Sequence, residues 1–315
     1  MTRLVQLSGV IMDHVYRVQS VPAPGEEAVV HSAALTPGGG FNAMVAARRM
    51  GMDVAYGGSL GAGAFADKIA QALAAEGITP MRPRLAGLDQ GCCTVLIDDA
   101  GERSFIASEG ADGMISDTDL AALSLRDDDW LLLSGYALLY RDSRDALTSW
   151  LFANPARLVF DPCPQVAAIA PRALDAALNA AHWISANRAE AETLTGHTDP
   201  AIAAKALSAR PGGAVVRDGD HGAWLALPGQ PSTHIPPLPV QAVDTNGAGD
   251  THVGAFIASL AAGHPPMQAG RLANIAAALS ITKEGPATAP TLAEVLAITC
   301  AHADRTPTDL NRRPE

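Results

Sequence analysis

Asp244-Thr245-Asn246-Gly247-Ala248-Gly249-Asp250 is the segment whose residue types and spacing most plainly permit chemistry. An extended, proline-containing approach, Pro236 to Ala242, leads into it, and an Ala-rich run, Thr251 to Leu260, follows. The small residues Gly247, Ala248 and Gly249 let an anion approach the backbone, and a helix starting near Gly249 turns its free amides toward that anion. Asp250 then falls in the first helical turn. A carboxylate there either stabilises the helix start or takes a proton from a hydroxyl while the amides hold a phosphoryl group in transit. Spacing alone leaves both readings open.

Three other places offer polar side chains beside small residues or strand ends. Pro37-Gly38-Gly39-Gly40-Phe41-Asn42 precedes a helical run, so Asn42 either caps that helix or reaches a ligand. Asp13 follows the first strand; the carboxy ends of parallel strands are where such sheets bind ligands, although a surface turn also suits an aspartate. Asn187-Arg188-Ala189-Glu190 has the spacing of a helix-capping pair.

Asp244 to Asp250 resembles the carboxy-terminal signature of the ribokinase-like (PfkB) carbohydrate kinases, and Pro37 to Gly51 is similar to their amino-terminal signature. The resemblance spans most of the chain, roughly residues 3 to 300. It implies an ATP-dependent small-molecule kinase that transfers the γ-phosphoryl group to a hydroxyl of a sugar. By the same resemblance Asp250 is the catalytic base and Gly247, Ala248 and Gly249 form the anion hole. Asp13, Gly38, Gly39, Gly40 and Asn42 would meet the acceptor, with Glu109 in the same pocket. Asn187, Arg217, Gly219, Gly222 and Asn274 would face the nucleotide. Glu190 would help position magnesium through water, in keeping with an ion that holds on to its hydration. Asp244, Asn246 and Gly285 lie where some relatives bind a monovalent cation, which raises potassium activation. A nucleoside kinase of the same family and a catalytically silent sugar-binding protein are the alternatives.

The elements that must position these groups are legible as alternation. Short apolar runs (Leu4 to Val10, Val54 to Tyr56, Trp130 to Ser134, Leu158 to Phe160, Trp183 to Ser185, Ala214 to Arg217) are separated by runs at helical spacing, among them Phe41 to Met50, Phe65 to Glu76 and Ala201 to Ala209. That pattern predicts an α/β fold, and with the resemblance a ribokinase-like open parallel sheet with helices on both faces. Glu27 to Leu35 alternates like a strand and Cys92 to Ser108 reads as a hairpin, neither followed by a crossover helix; together they predict a small β lid. The expected organisation is one kinase domain over 1–302, its lid drawn from about 14–35 and 92–110, and a disordered tail over 303–315. The resemblance further implies a homodimer through the lid. His14, Tyr16, Cys93, Ser108 and Glu109 are the side chains expected to choose the acceptor, and an acidic Glu109 favours a neutral sugar or a nucleoside.

Composition narrows the field. With 315 residues, 48% hydrophobic content and a net charge of -11, the chain is globular, and its charge opposes binding to nucleic acid. No stretch approaches the ~18 apolar residues of a membrane span, and the amino terminus reads as a strand, so a cytoplasmic location is expected. Cys92, Cys93, Cys163 and Cys300 have no paired spacing and read as small buried hydrophobes. Gly57-Gly58-Ser59-Leu60-Gly61 matches the nucleophile elbow of serine hydrolases, but more glycine follows where that elbow needs a helix. It also stands at the family's glycine-rich turn, with Ala62 and Gly63 in place of an acidic pair. No Walker-type loop and no tight histidine set for a metal is present, and His252 is expected to pack rather than react.

Overall fold

The structure, a computed structural model, describes residues 2–154 and 157–303. Its strands in chain order are β1 (Arg3–Gln6), β2 (Val10–Val18), β3 (Val30–Gly39), β4 (Asp53–Tyr56), β5 (Thr79–Pro80), β6 (Cys92–Ile97), β7 (Arg103–Ser108), β8 (Trp130–Ser134), β9 (Arg157–Asp161), β10 (Ala181–Asn187), β11 (Gly213–Arg217), β12 (Ala223–Ala226) and β13 (Thr233–Ile235). Its α-helices are α1 (Gly40–Arg49), α2 (Ala64–Ala75), α3 (Asp117–Ala121), α4 (Arg141–Ala153), α5 (Pro171–Ala180), α6 (Arg188–Thr195), α7 (Pro200–Leu207), α8 (Ala248–Ala261), α9 (Pro266–Ser280) and α10 (Leu292–Ala303).

The larger sheet runs β13-β12-β11-β10-β9-β8-β1-β4-β5. From β11 to β5 every pair is parallel, and β12 and β13 add an antiparallel edge. Neighbouring residues on one strand serve opposite cores. Leu4, Leu132, Val159, Trp183 and Val215 join the cluster that contains Met44 of α1 and Phe256 of α8. Val5, Leu131, Leu158, Ile184 and Val216 join the cluster that contains Leu147 of α4 and Ala204 of α7. Successive strand side chains point to opposite faces, so a strand covered on both sides shows a continuous apolar run.

Because β1 lies between β4 and β8, the sheet grows one way from β1 to β5 and the other way from β8 onward. The loops leaving β1 and β8 therefore diverge, opening a crevice at the carboxy ends of the strands. On one face of the sheet α8 packs against α1 at Gly254, where a Cβ would stand 2.8 Å from that of Ala46 and press on the carbonyl of Ala43. This close approach sets the spacing of the two helices whose first turns carry Asn42 and Asp250.

The smaller sheet runs β3-β2-β6-β7 and overhangs the crevice. It differs from expectation at its start: the apolar run Leu4 to Val10 is not one strand, because the chain leaves the large sheet after Gln6 and begins the lid at Val10. Asp13 is therefore a lid residue. β3 likewise continues to Gly39 and passes straight into α1. The tail expected over 303–315 lies beyond the described residues, apart from Ala303 at the end of α10. Among the described residues no helix is long and apolar enough to cross a membrane. Cys93 and Cys163 are buried and Cys92 partly so, but Cys300 is exposed, on a helix that fully buries only Val295 among its described side chains.

Candidate active site

A cleft of about 860 Å³ runs between the lid and the strand ends. α8 begins at its edge. Gly247 precedes the helix with φ +75, a conformation glycine adopts without strain, and no side chain caps the helix start. Residues 247–250 line the cleft, so the start of α8 opens onto space where an anion fits; of its first amides, that of Ala248 donates to the Thr245 carbonyl at 3.4 Å.

Asn42 lies in the first turn of α1, whose cap is Gly39 at φ +60. It does not cap its own helix. Its side-chain amide instead donates to Asp250 Oδ2 at 3.1 Å, joining two segments 208 residues apart. Withdrawal from water, then the neighbouring Asp161 carboxylate, raises Asp250 to about 7, while Asn42 and Arg217 pull the other way. A carboxylate with that affinity for protons can take one up near neutrality.

Asp13 also lines the cleft, and burial raises it to about 6. Gly38 sits so close to Asp13 that a Cβ would stand 2.5 Å from its carboxyl carbon; the glycine gives that side chain its room. Gly40 does the same for the amide of Gln6. Three buried polar atoms of the cleft lining, Gln6 Oε1, Thr36 Oγ1 and Asn42 Oδ1, have no hydrogen-bond partner. Buried polar groups are ordinarily satisfied, so this cluster fits a ligand rich in hydroxyls.

Across the cleft, Arg217 at the end of β11 donates to Asp161 Oδ1 at 2.9 Å and Ser185 Oγ at 2.8 Å, and its Nη2 lies 3.6 Å from Glu190 Oε2. A Cβ at Gly249 would stand 3.7 Å from the guanidinium, which places this charge beside the first turn of α8. Burial raises both Asp161 and Glu190, and Arg217 opposes the rise in each. Asn187 and Glu190 form a reciprocal capping box at 2.9 and 2.8 Å, and both line the cleft. Asp244 Oδ1 accepts from the Asn246 amide at 2.9 Å and Oδ2 from the Gly285 amide at 3.2 Å, so these three residues converge.

Several expected site residues fall elsewhere. Glu109 is exposed just beyond β7 and does not line the cleft, so it supplies no negative charge to the pocket. His14, Tyr16 and Ser108 occupy the alternate positions of their strands and point away, with His14 and Tyr16 in ring contact at 4.3 Å. Gly219 and Gly222 shape the turn after β11 at φ +60 and +91, outside the cleft lining. Asn274 is buried behind α8, where it donates to the carbonyls of Ile235 and Pro236 and pairs with His252 Nε2 at 3.1 Å. His252 is driven down to about 3 by burial, so it packs as a neutral ring. Ser59 is buried, accepts from Arg82 at 2.7 Å and donates to the Met114 carbonyl; it heads no helix and is no nucleophile.

Residues 1–292 match the model of the pfkB family carbohydrate kinases. The chain belongs to that family. It is 31% identical over 303 residues to the uncharacterized sugar kinase YegV of Escherichia coli, covering 91% of this chain and 90% of that one. It is 29% identical over 310 residues to a ribokinase of Haemophilus influenzae, covering 93% and 97%. Its fold matches the crystal structure of a ribokinase from Thermotoga maritima at a TM-score of 0.80 and 24% identity, over 95% of this chain and 100% of that one. The family and its relatives make this chain an ATP-dependent carbohydrate kinase.

In this pfkB chain the sequence reading missed Asp161, Gln6, Thr36, Arg17 and Arg103, all of which line the cleft. Asp161 ends an apolar strand run, and that position was a usable signal. Arg17 and Arg103 required the lid's strand phase: Arg17 sits four pairs beyond Asp13, and Arg103 four pairs from Ala107, an even number that keeps each on the same face.

Proposed function

We propose that Asp250 is the general base of phosphoryl transfer from ATP to a sugar hydroxyl, and that Asn42 holds both the base and the acceptor. The 3.1 Å bond between Asn42 and Asp250 carries this reading, because it ties the start of α1 to a carboxylate that burial leaves with raised proton affinity in the first turn of an uncapped helix. The acceptor hydroxyl gives its proton to Asp250 as its oxygen attacks the γ-phosphorus, and the bond from phosphorus to the leaving oxygen of ADP breaks. The amides of residues 247–249 face the charge that gathers on the transferred group. Arg217, held by Asp161, supplies a fixed positive charge alongside. Asp13, Asn42, Gln6 and Thr36 hold the acceptor's other hydroxyls.

Among the described residues no three metal-ligating side chains converge. Magnesium fits this oxygen-lined cleft through water and phosphate oxygens, with Glu190 as the nearby carboxylate, and it would neutralise phosphate charge. Asp244, Asn246 and Gly285 form the loop pair assigned to a monovalent cation. Equal rates with and without potassium discard that assignment.

The acceptor is uncharged. The two arginines of the lid face each lie near a carboxylate from outside the lid, Arg17 near the exposed Glu284 at 3.6 Å and Arg103 near Asp244 at 3.3 Å. The protein acts in the cytoplasm as a homodimer whose lids meet through their outer faces, where Ile106 is 66% exposed. An ATP-consumption screen over pentoses, hexoses and nucleosides tests the reading. Consumption that depends on one acceptor supports it, and none with any acceptor overturns it.

A further inference from the structure

Residues 284–289, between α9 and α10, wall part of the cleft, which Glu284, Gly285 and Pro286 line. The Gly285 amide donates to Asp244 Oδ2 at 3.2 Å. The Ala287 amide nitrogen lies 3.8 Å from where a Cβ would stand on Gly247, the residue before α8. Glu284 lies 3.6 Å from Arg17 of the lid. One short turn thus touches the lid, the approach to α8 and the start of α8.

That turn is held in a conformation its sequence does not favour. Ala287 has φ +54, the one positive φ outside glycine among the described residues. A Cβ in that region crowds the following carbonyl, so the conformation persists only where neighbouring groups hold it. The group that holds it is Arg49, the last residue of α1. Its Nη1 donates to the carbonyls of Ala287 at 3.2 Å and Ala289 at 2.8 Å, which curls the chain between them around one nitrogen. Its Nε and Nη2 donate to the two carboxylate oxygens of Glu76, the residue that closes α2, at 3.3 and 2.6 Å. Glu76 therefore fixes the plane of the guanidinium and aims its third nitrogen at the turn. Helix α1 meets the site from both ends: Asn42 reaches Asp250 at its start, and Arg49 grips the turn beside Gly247 at its finish.

We infer that Arg49 is a positioning residue for phosphoryl transfer, acting through the 284–289 turn on Asp244 and on the start of α8. Arg49 itself does not line the cleft. Without its fork, Ala287 relaxes to negative φ and draws the Gly285 amide off Asp244. This inference rests on the kinase reading above, in which the start of α8 faces the transferred group.

Three variants of the full chain test it: Arg49→Met, Arg49→Lys, and Arg49→Met combined with Ala287→Gly. Amide hydrogen exchange reads the turn, and kcat and KM for ATP are measured with whichever acceptor the wild type consumes. Arg49→Met should quicken exchange across 284–289 and lower kcat about tenfold or more, with KM for ATP changed less. Lysine, a point charge that cannot grip Glu76 and both carbonyls together, should stay nearer to the methionine variant than to wild type. Glycine takes a positive φ without strain, so Ala287→Gly should recover about fivefold in kcat in the Arg49→Met background and slow the exchange again. Unchanged exchange in the turn, wild-type kcat in Arg49→Lys, no recovery from the glycine, or a lower melting temperature with kcat per folded protein intact each overturns the inference. If the wild type consumes ATP with no acceptor, the kinase reading fails, and the exchange data still decide whether Arg49 holds the turn.

Discussion

Asn42 donates through its amide nitrogen to Asp250 at 3.1 Å from the first turn of a different helix, and the amide oxygen, Oδ1, is buried without a partner. One side chain therefore tunes this carboxylate and still has an acceptor to offer a substrate hydroxyl. The arrangement exists because α1 and α8 touch at Gly254.

The pH dependence follows from the raised affinity of Asp250. As the proposed base, Asp250 works only when deprotonated, so kcat/KM should rise with pH through a limb near 7. Asn42→Ala removes a bond that favours the carboxylate and should move the limb upward by about one pH unit, with kcat/KM falling ~10-fold or more. A pH-rate profile of both proteins checks this; an unmoved limb disconnects Asn42 from the base.

Asp250 also strains the fold. Its affinity for protons is higher folded, at about 7, than at its ordinary 3.8, so folding is disfavoured progressively as pH rises from the lower value to the higher. Asp250→Asn should therefore raise the melting temperature by several degrees at about pH 8 and by little near pH 4. Melting curves at the two pH values read the difference directly.

Arg217 sits among Asp161, Glu190 and Asp250, and removing it leaves carboxylates without their cation. Arg217→Met should destabilise the protein by about 3 kcal/mol, the order seen when one partner of a buried pair is lost, and should shift the pH limb upward. Asp161→Asn should shift the limb downward, because that carboxylate raises Asp250. Denaturant melts and pH profiles of both variants test the signs.

Gly254 has no room for a side chain against the Ala43 carbonyl. Gly254→Val should force α8 away from α1, lengthen the Asn42 to Asp250 contact and lower kcat more than ATP affinity. Steady-state kinetics beside nucleotide binding separate the two effects.

Much of this was readable in the chain. The central strands announced themselves because each buries both faces, as Leu131 and Leu132 do. Asp250 and Asn42 stood in segments dense with glycine. What escaped was strand phase and sheet membership: no periodicity marks the passage from β1 to β2, so Asp13 was not visible as a lid residue, and His14 and Tyr16 were preferred over Val15 and Arg17. Glu109, one residue past β7, was given a pocket position that the register does not reach. Arg217 was legible only as a nucleotide-side residue, since its partner Asp161 lies 56 positions away.

The most direct measurement is phosphoryl transfer by Asp250→Asn on whichever acceptor the wild type consumes, alongside calorimetric ATP binding. The account predicts a loss of about 10²-fold to 10⁴-fold in kcat, with ATP affinity retained. Wild-type turnover by that variant would contradict it.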